Sequence, residues 1–233
     1  MAEPFNPLAE HVLAETMVQA LENRPCAPLP PPSGSFEGAG IYALYYFGDN
    51  PTYRLLAEMN RDQGGNPSCR SPIYVGSAAP EGSRKGDRPF DAPPGARLYA
   101  RLRDHAASIR VARDLNLEHF ACRYLVTSEL WFSLAERLLI ARYKPVWNVV
   151  VDGFGLHRPG SIREEGAAPA WDILHSGRPW AETMRSRGFW WTPEQMREAI
   201  RCHLAGEPLP LIPSRPGRRR RVDGETSTDA AGT

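Results

Sequence analysis

Six side chains in this sequence have the types and spacing that phosphate chemistry requires. Arg101 and His105 lie four residues apart in a segment with helical patterning, so they share one helix face about a turn apart. An arginine so placed can grip the non-bridging oxygens of a phosphate with two parallel hydrogen bonds as their charge grows, and a histidine can hold or relay a proton. Glu136 falls inside an apolar helical pattern, with Phe132 and Ile140 four residues to either side, Leu139 close in angle, and Leu134 and Leu138 opposite. That wheel predicts a helix buried all round, where a carboxylate is costly unless a cation or strong donor compensates it. A salt bridge to one of the many arginines and a Mg2+-type ion both satisfy that need, since hard cations take carboxylate oxygens and keep several waters. Tyr42 and Tyr74 stand in strand-like strings beside Gly40 and Gly76. Tyrosines in aromatic strands are ordinary core residues, but bare glycine backbone beside them also suits close approach by a bulky substrate. Asn148, just past Pro145, fits either a turn or a phosphate ligand.

The surrounding pattern supplies elements to carry these groups. Residues 6–23 have apolar positions at helical spacing, and the proline run 28–32 followed by Ser33-Gly34 breaks the chain into a linker. The aromatic and β-branched run 40–47 predicts a strand, placing Tyr42 on one face with Leu44 and Tyr46 and away from Ile41 and Ala43. A short helix over 52–61, a turn at Gly64-Gly65-Asn66-Pro67 and a strand over 72–76 follow. Residues 79–95 form a charged, proline- and glycine-rich loop, 96–109 a helix and 119–126 an alternating strand. Residues 129–143 form a helix stopped by Pro145, and 193–204 one more. Residues 152–190 are rich in turns and tryptophan with poor periodicity, and the proline-rich, then basic and polar, end predicts disorder.

Composition narrows the class. No run of 18 apolar residues exists, which argues against a membrane-spanning helix, and the acidic start lacks the pattern of a secretory signal. The four cysteines are 43, 53 and 80 residues apart with no C-x-x-C, which predicts reduced thiols and a cytoplasmic protein rather than a zinc site or disulfide framework. Net charge is only +1, yet residues 84–113 hold eight Lys/Arg against three Asp, the local excess expected where phosphates are touched. Arginine makes up 26 of the 28 basic residues. That excess fits either a GC-rich coding sequence or forked contacts to guanine and phosphate, so it decides nothing alone.

Taken in order, Gly40-Ile41-Tyr42, Tyr74-Val75-Gly76, Arg101-x-x-x-His105, Glu136 and Pro145-x-x-Asn148 resemble the GIY-YIG nuclease superfamily, whose members hydrolyse DNA phosphodiesters with one divalent metal. The likeness covers roughly residues 38–150. It extends to the type II restriction endonuclease branch, because GIYALYY, PIYVG, LYARLRDHAASI, FACRYLV, PVWN and DGFGLHRPG look like members that cut the palindrome CCGCGG. The resemblance implies an α+β fold with a small, mainly antiparallel three-stranded sheet flanked by helices, an N-terminal helix and an irregular C-terminal extension. It divides the chain into a helix and linker (1–37), a catalytic core (38–150) with insertions at 47–71 and 79–95, an extension with possible DNA recognition (151–208), and a disordered basic tail (209–233).

By position, the resemblance makes Tyr42, Tyr74, Arg101, His105, Glu136 and Asn148 the catalytic set, with Glu136 holding one Mg2+. Double-stranded DNA is then the partner, and a palindromic target implies a homodimer. Helix 6–23 is a candidate dimer surface or a cap on the core, and a cognate DNA methyltransferase is expected as a separate protein. Tyr42 would serve as general base or proton relay, and half-ionisation of a phenol at pH 7 needs a downward shift of roughly 3 units, about 4 kcal/mol. Candidate DNA contacts are Arg84, Lys85, Arg97, Arg103, His157 and Arg158, with Arg163 and Arg178 as further sources of base readers and Arg218 to Arg221 adding salt-dependent affinity. One departure stands out: Ser77-Ala78 follow Gly76 where the family usually has a lysine, leaving Arg84 or Lys85 as possible substitutes. A repair or homing nuclease of the same superfamily, or an inactive DNA-binding protein on this fold, are the alternative readings.

Overall fold

The computed structural model describes residues 9–32, 34–80, 93, 95–156, 168–185 and 191–210. Its centre is strand β2 (Gly40–Tyr46), buried at every position. β2 pairs antiparallel with β3 (Tyr74–Ala78) on one side and β4 (Phe120–Val126) on the other. A two-residue strand β1 (Ala27–Pro28) adds to the far edge of β4, giving the order β1-β4-β2-β3. The sheet therefore has four strands where three were expected. β1 is too short and too proline-rich to show a period of two, and backbone pairing to β4 alone creates it.

Helices cover both faces of β2, which is why its run is almost wholly apolar rather than alternating. Ile41, Ala43 and Tyr45 face α1 (Glu10–Glu22) and α4 (Glu129–Tyr143), packing with Val18, Leu21, Phe132, Ala135 and Leu139. Tyr42, Leu44 and Tyr46 face the larger core formed with α3 (Arg97–Val111), α5 (Val146–Val149), α6 (Ala170–Leu174) and α8 (Pro193–Ala205). The two faces divide as the strand period predicts. The insertion after β2 contributes α2 (Arg54–Met59), and α7 (Pro179–Arg185) completes the extension. Helices α6 and α7 lie where the sequence showed only turns, because five- and seven-residue helices are too short to display a 3.6-residue period.

Helix α1 caps the core. Val18 and Leu21 are buried against α4, and Arg142 pairs with Glu15 and Glu22. Ser133, Arg137 and Ala141, away from α1, are exposed. The expectation of a helix buried all round is therefore corrected: apolar Leu134 and Leu138 are only half-buried. Cys26 is bonded to Cys69, their Cα atoms 6.3 Å apart, so the expectation of four free thiols fails for this pair. β1 brings Cys26 beside the insertion, a proximity that separation along the chain could not reveal. Cys122 and Cys202 are free and buried.

A buried polar chain fastens the insertion to the extension. Trp147 Nε1 donates to Tyr53 Oη (2.9 Å), Tyr53 Oη lies 2.5 Å from His175 Nε2, and His175 Nδ1 lies 2.9 Å from the Asp114 carboxylate. Burial also sets an alkaline limit on the fold. It pushes Tyr45 up to about 12 and the Cys122 thiol from 9.0 to about 12. Both groups stay neutral in the fold and ionise more readily when unfolded. Their contribution is complete below the unfolded values and is lost as pH rises toward 12. For Cys122 that is on the order of 4 kcal/mol. The melting temperature should hold up to about pH 9 and then fall steeply; a melt unchanged at pH 11 would contradict this.

Candidate active site

Tyr42 projects from the middle of the sheet into the α3 side and is wholly buried. Its Oη lies 2.6 Å from Nε2 of His105, itself 2% exposed on α3. The Tyr74 ring sits 6.2 Å from Tyr42 and 5.3 Å from His105, centroid to centroid. Gly76 stands opposite Tyr42 in the strand register, and a Cβ there would fall 2.4 Å from the Tyr42 hydroxyl. At Gly40 a Cβ would fall 2.0 Å from the Leu125 carbonyl oxygen. Both glycines thus make room for the protein's own atoms, not for the substrate approach the sequence suggested.

Arg101 and His105 share one face of α3, as their spacing predicts. The Arg101 Nη2 donates to the Gly155 carbonyl (2.6 Å), and the His105 ring stacks on Phe154 at 4.6 Å with 18° between planes. Burial pushes the Tyr42 phenol well above its usual value; neighbouring Tyr74 adds to this, the Arg101 guanidinium opposes it, and the Glu136 charge raises it further. Tyr74 is raised in the same way, burial first and Arg101 opposing. Each phenol is protonated at neutral pH in this structure.

Glu136 arrives from the other face of the sheet. Ser77, alternating with Gly76 along edge strand β3, points toward α4 and donates from Oγ to Glu136 Oε2 at 2.6 Å. The site therefore wraps the edge of β3, with phenols, Arg101 and His105 on one side and the carboxylate on the other. Glu136 is half-buried rather than sealed. Among the described residues no group of three or more His, Cys, Asp or Glu gathers as a metal cage. A single accessible carboxylate suits a Mg2+-type ion, which keeps several waters and takes substrate oxygens for the rest. Asn148, on α5 rather than in a turn, grips the same strand edge. Its Oδ1 accepts from Val75 N–H (2.8 Å) and its Nδ2 donates to Val75 carbonyl (2.9 Å).

Tyr42, Tyr74, Arg101 and His105 are thus brought into one cluster, with Glu136 near enough to raise both phenols and Asn148 bonded to Val75, the residue after Tyr74. A cleft of about 190 Å³ between α3 and segments 154–156 and 178–180 opens onto Arg101 and His105. Of the candidate DNA contacts, Arg97 lies one turn before Arg101 and is half-buried, and Arg103 is exposed on a different face. Arg84, Lys85, His157, Arg158 and Arg163, and the tail arginines, lie outside the described residues. Arg178 is 4% exposed, which corrects its candidacy as a base reader.

Sequence reasoning missed the loop Gly153–Leu156, whose Phe154 and Gly155 touch His105 and Arg101. The signal available was the glycine spacing in DGFGL. Gly153 adopts φ +100°, and a Cβ on it would fall 2.3 Å from Pro169 Cβ. A Cβ on Gly155 would fall 2.4 Å from the Tyr74 hydroxyl.

Paired phenols, a basic helix face and a carboxylate gathered around the edge of a small antiparallel sheet are the layout of a GIY-YIG nuclease. A family model described as the Eco29kI GIY-YIG domain matches residues 34–204, most of the chain, and the chain belongs to that family. It is a nuclease of restriction type, with DNA as its substrate. No curated protein matches the chain. Among the described residues no helix is long and apolar enough to cross a membrane.

Proposed function

We propose that this protein is a sequence-specific type II restriction endonuclease that hydrolyses both strands of a GC-rich palindromic duplex, with CCGCGG as the site its sequence strings favour. The observation that carries the chemistry is the 2.6 Å contact between Tyr42 Oη and His105 Nε2 beside Arg101. A buried phenol is a poor base, because it must first lose a proton at high cost. With His105 at hydrogen-bond distance, Tyr42 takes a proton from the attacking water while passing its own to Nε2, so no free phenolate is needed. Tyr74, less buried than Tyr42, positions that water. Arg101 holds the scissile phosphate, fixed in place by the Gly155 carbonyl. Asn148 keeps β3 in register beside it.

Glu136, oriented by Ser77, is the residue that would hold a divalent ion, and the chemistry such an ion supplies when bound is stabilisation of the leaving oxygen. Ser77, which stands where the family usually has a lysine, directs the carboxylate through its hydroxyl. A palindrome presents the same half-site twice, so the active form is a homodimer. Because the inner face of α1 is spent on α4, a second copy that used this helix would meet its outer face. A cognate methyltransferase protects the host site, and the enzyme works in the cytoplasm.

Incubation with plasmid and Mg2+, followed by mapping of fragment ends, tests this reading. Discrete fragments with ends in one GC-rich palindrome are expected. Structure-dependent nicks would indicate a repair enzyme, and a retarded but uncut band would overturn the nuclease assignment. Gly76→Ala gives a finer check: the added methyl displaces the Tyr42 hydroxyl from His105, and cleavage should slow about 100-fold, since misplacement of about 1 Å costs that much. Wild-type cleavage by this variant would remove the Tyr42–His105 contact from the mechanism.

A further inference from the structure

Arg178 is a buried cation that the mechanism above does not use. Its Nε donates to Asp172 Oδ1 at 2.5 Å, with Nη2 on Oδ2, a fork-to-fork pair in which Asp172 is 1% exposed. The guanidinium lies between the rings of Trp171 (4.6 Å) and Trp180 (4.8 Å). Its remaining donors reach three carbonyls of one loop: Nη2 to Gly153 (3.1 Å), and Nη1 to Phe154 (3.1 Å) and Leu156 (2.9 Å). That same loop turns inward to the cleft, where Gly155 carbonyl takes Arg101 Nη2 and Phe154 stacks on His105.

We infer that Arg178, locked by Asp172, is a positioning residue for catalysis: it fixes the Gly153–Leu156 loop, and through it the Arg101 guanidinium and the His105 ring. The physical case rests on what else could hold the loop. A carbonyl that accepts from a catalytic arginine must itself be fixed, or the arginine swings with it. Gly153 and Gly155 give the loop little stiffness of its own. Only a planar group with five donors can satisfy a carboxylate and three carbonyls together, and a lysine cannot reproduce that geometry. The clasp also explains why the extension belongs to the catalytic unit: Asp172 and Arg178 lie on and after α6, outside the 38–150 core that carries the six site residues.

This inference deepens the nuclease reading and rests on it. The test is single-turnover cleavage of plasmid under excess enzyme and Mg2+, with DNA affinity measured separately in Ca2+, for wild type, Arg178→Lys, Arg101→Lys and the double variant. Arg178→Lys should lower the cleavage rate constant about 100-fold while DNA affinity changes less than about 3-fold. The double variant should be little slower than Arg101→Lys alone, because the two residues act through one contact. Should Arg178→Lys not yield folded protein, Asp172→Asn keeps the carbonyl contacts, loosens the lock, and should give the same pattern at smaller size. A merely structural role would lower the amplitude of cleavage rather than its rate constant, or would add independently to the Arg101 effect; either result overturns the clasp. If wild type cuts and Arg178→Lys cuts equally fast, the clasp alone fails. If wild type leaves DNA intact, the nuclease reading fails and the inference with it.

Discussion

Replacing Glu136 with Gln should give a folded protein that still holds DNA but cuts it at least about 1000-fold more slowly, a loss typical of removing one preorganised charge-stabilising group. The fold should barely notice. Glu136 is half-buried, its neighbour Ser77 can donate to an amide oxygen as readily as to a carboxylate, and Gln keeps the length of the side chain. Exchanging a charge-assisted hydrogen bond for a neutral one costs on the order of 1 kcal/mol. What Gln cannot do is offer a hard anionic oxygen to a divalent cation. Melting temperature, DNA retention in Ca2+ and cleavage in Mg2+ together separate the two roles. Full cleavage by the variant would remove Glu136 from the scheme.

Tyr42→Phe should have an effect of similar size for a different reason. The substitution deletes one oxygen from a wholly buried site and leaves His105 without its 2.6 Å partner. As structure, that removes the hydroxyl shared by His105, Arg101 and Tyr74, a loss of about 2 kcal/mol. As chemistry, on the proposed mechanism, it removes the group that takes the proton from water, and a positioned acid–base residue contributes about 100- to 10,000-fold. The rate constant for cleavage, measured with enzyme in excess, should therefore collapse while the melting temperature shifts by only a few degrees. Tyr74→Phe provides the contrast, because that phenol positions rather than exchanges, and its loss should be smaller. If Tyr74→Phe were the slower of the two, the roles assigned to the phenols would have to be reversed.

How far the sequence could be read depended on the range over which each signal acts. Strands 40–46 and 120–126 and helices 97–111, 129–143 and 193–205 followed from local periodicity, which is a property of neighbouring residues. The four groups on the α3 side were also legible, because each sits on such an element at a fixed position. Where a residue's state depends on a distant partner, the pattern was silent. Glu136 looked sealed because the wheel counts apolar neighbours and cannot know that one side of α4 is exposed. Arg178 looked like a candidate base reader because arginine usually lies at the surface, and nothing in a six-residue separation from Asp172 signals a buried pair. Ser77 looked like a defect until its hydroxyl was seen to reach Glu136. Cys26 and Cys69 meet only because β1 joins the sheet.

The grip of Asn148 on Val75 has a consequence for solubility. β3 ends the sheet, and a border strand with unpaired amides invites the strand of a neighbouring molecule to add to it. The carboxamide imitates such a strand, presenting one acceptor and one donor at the spacing of a peptide group, and so occupies the place where a stray chain would begin to zip. The edge of β3 is thus closed by the protein's own side chain and offers no nucleus for fibre growth.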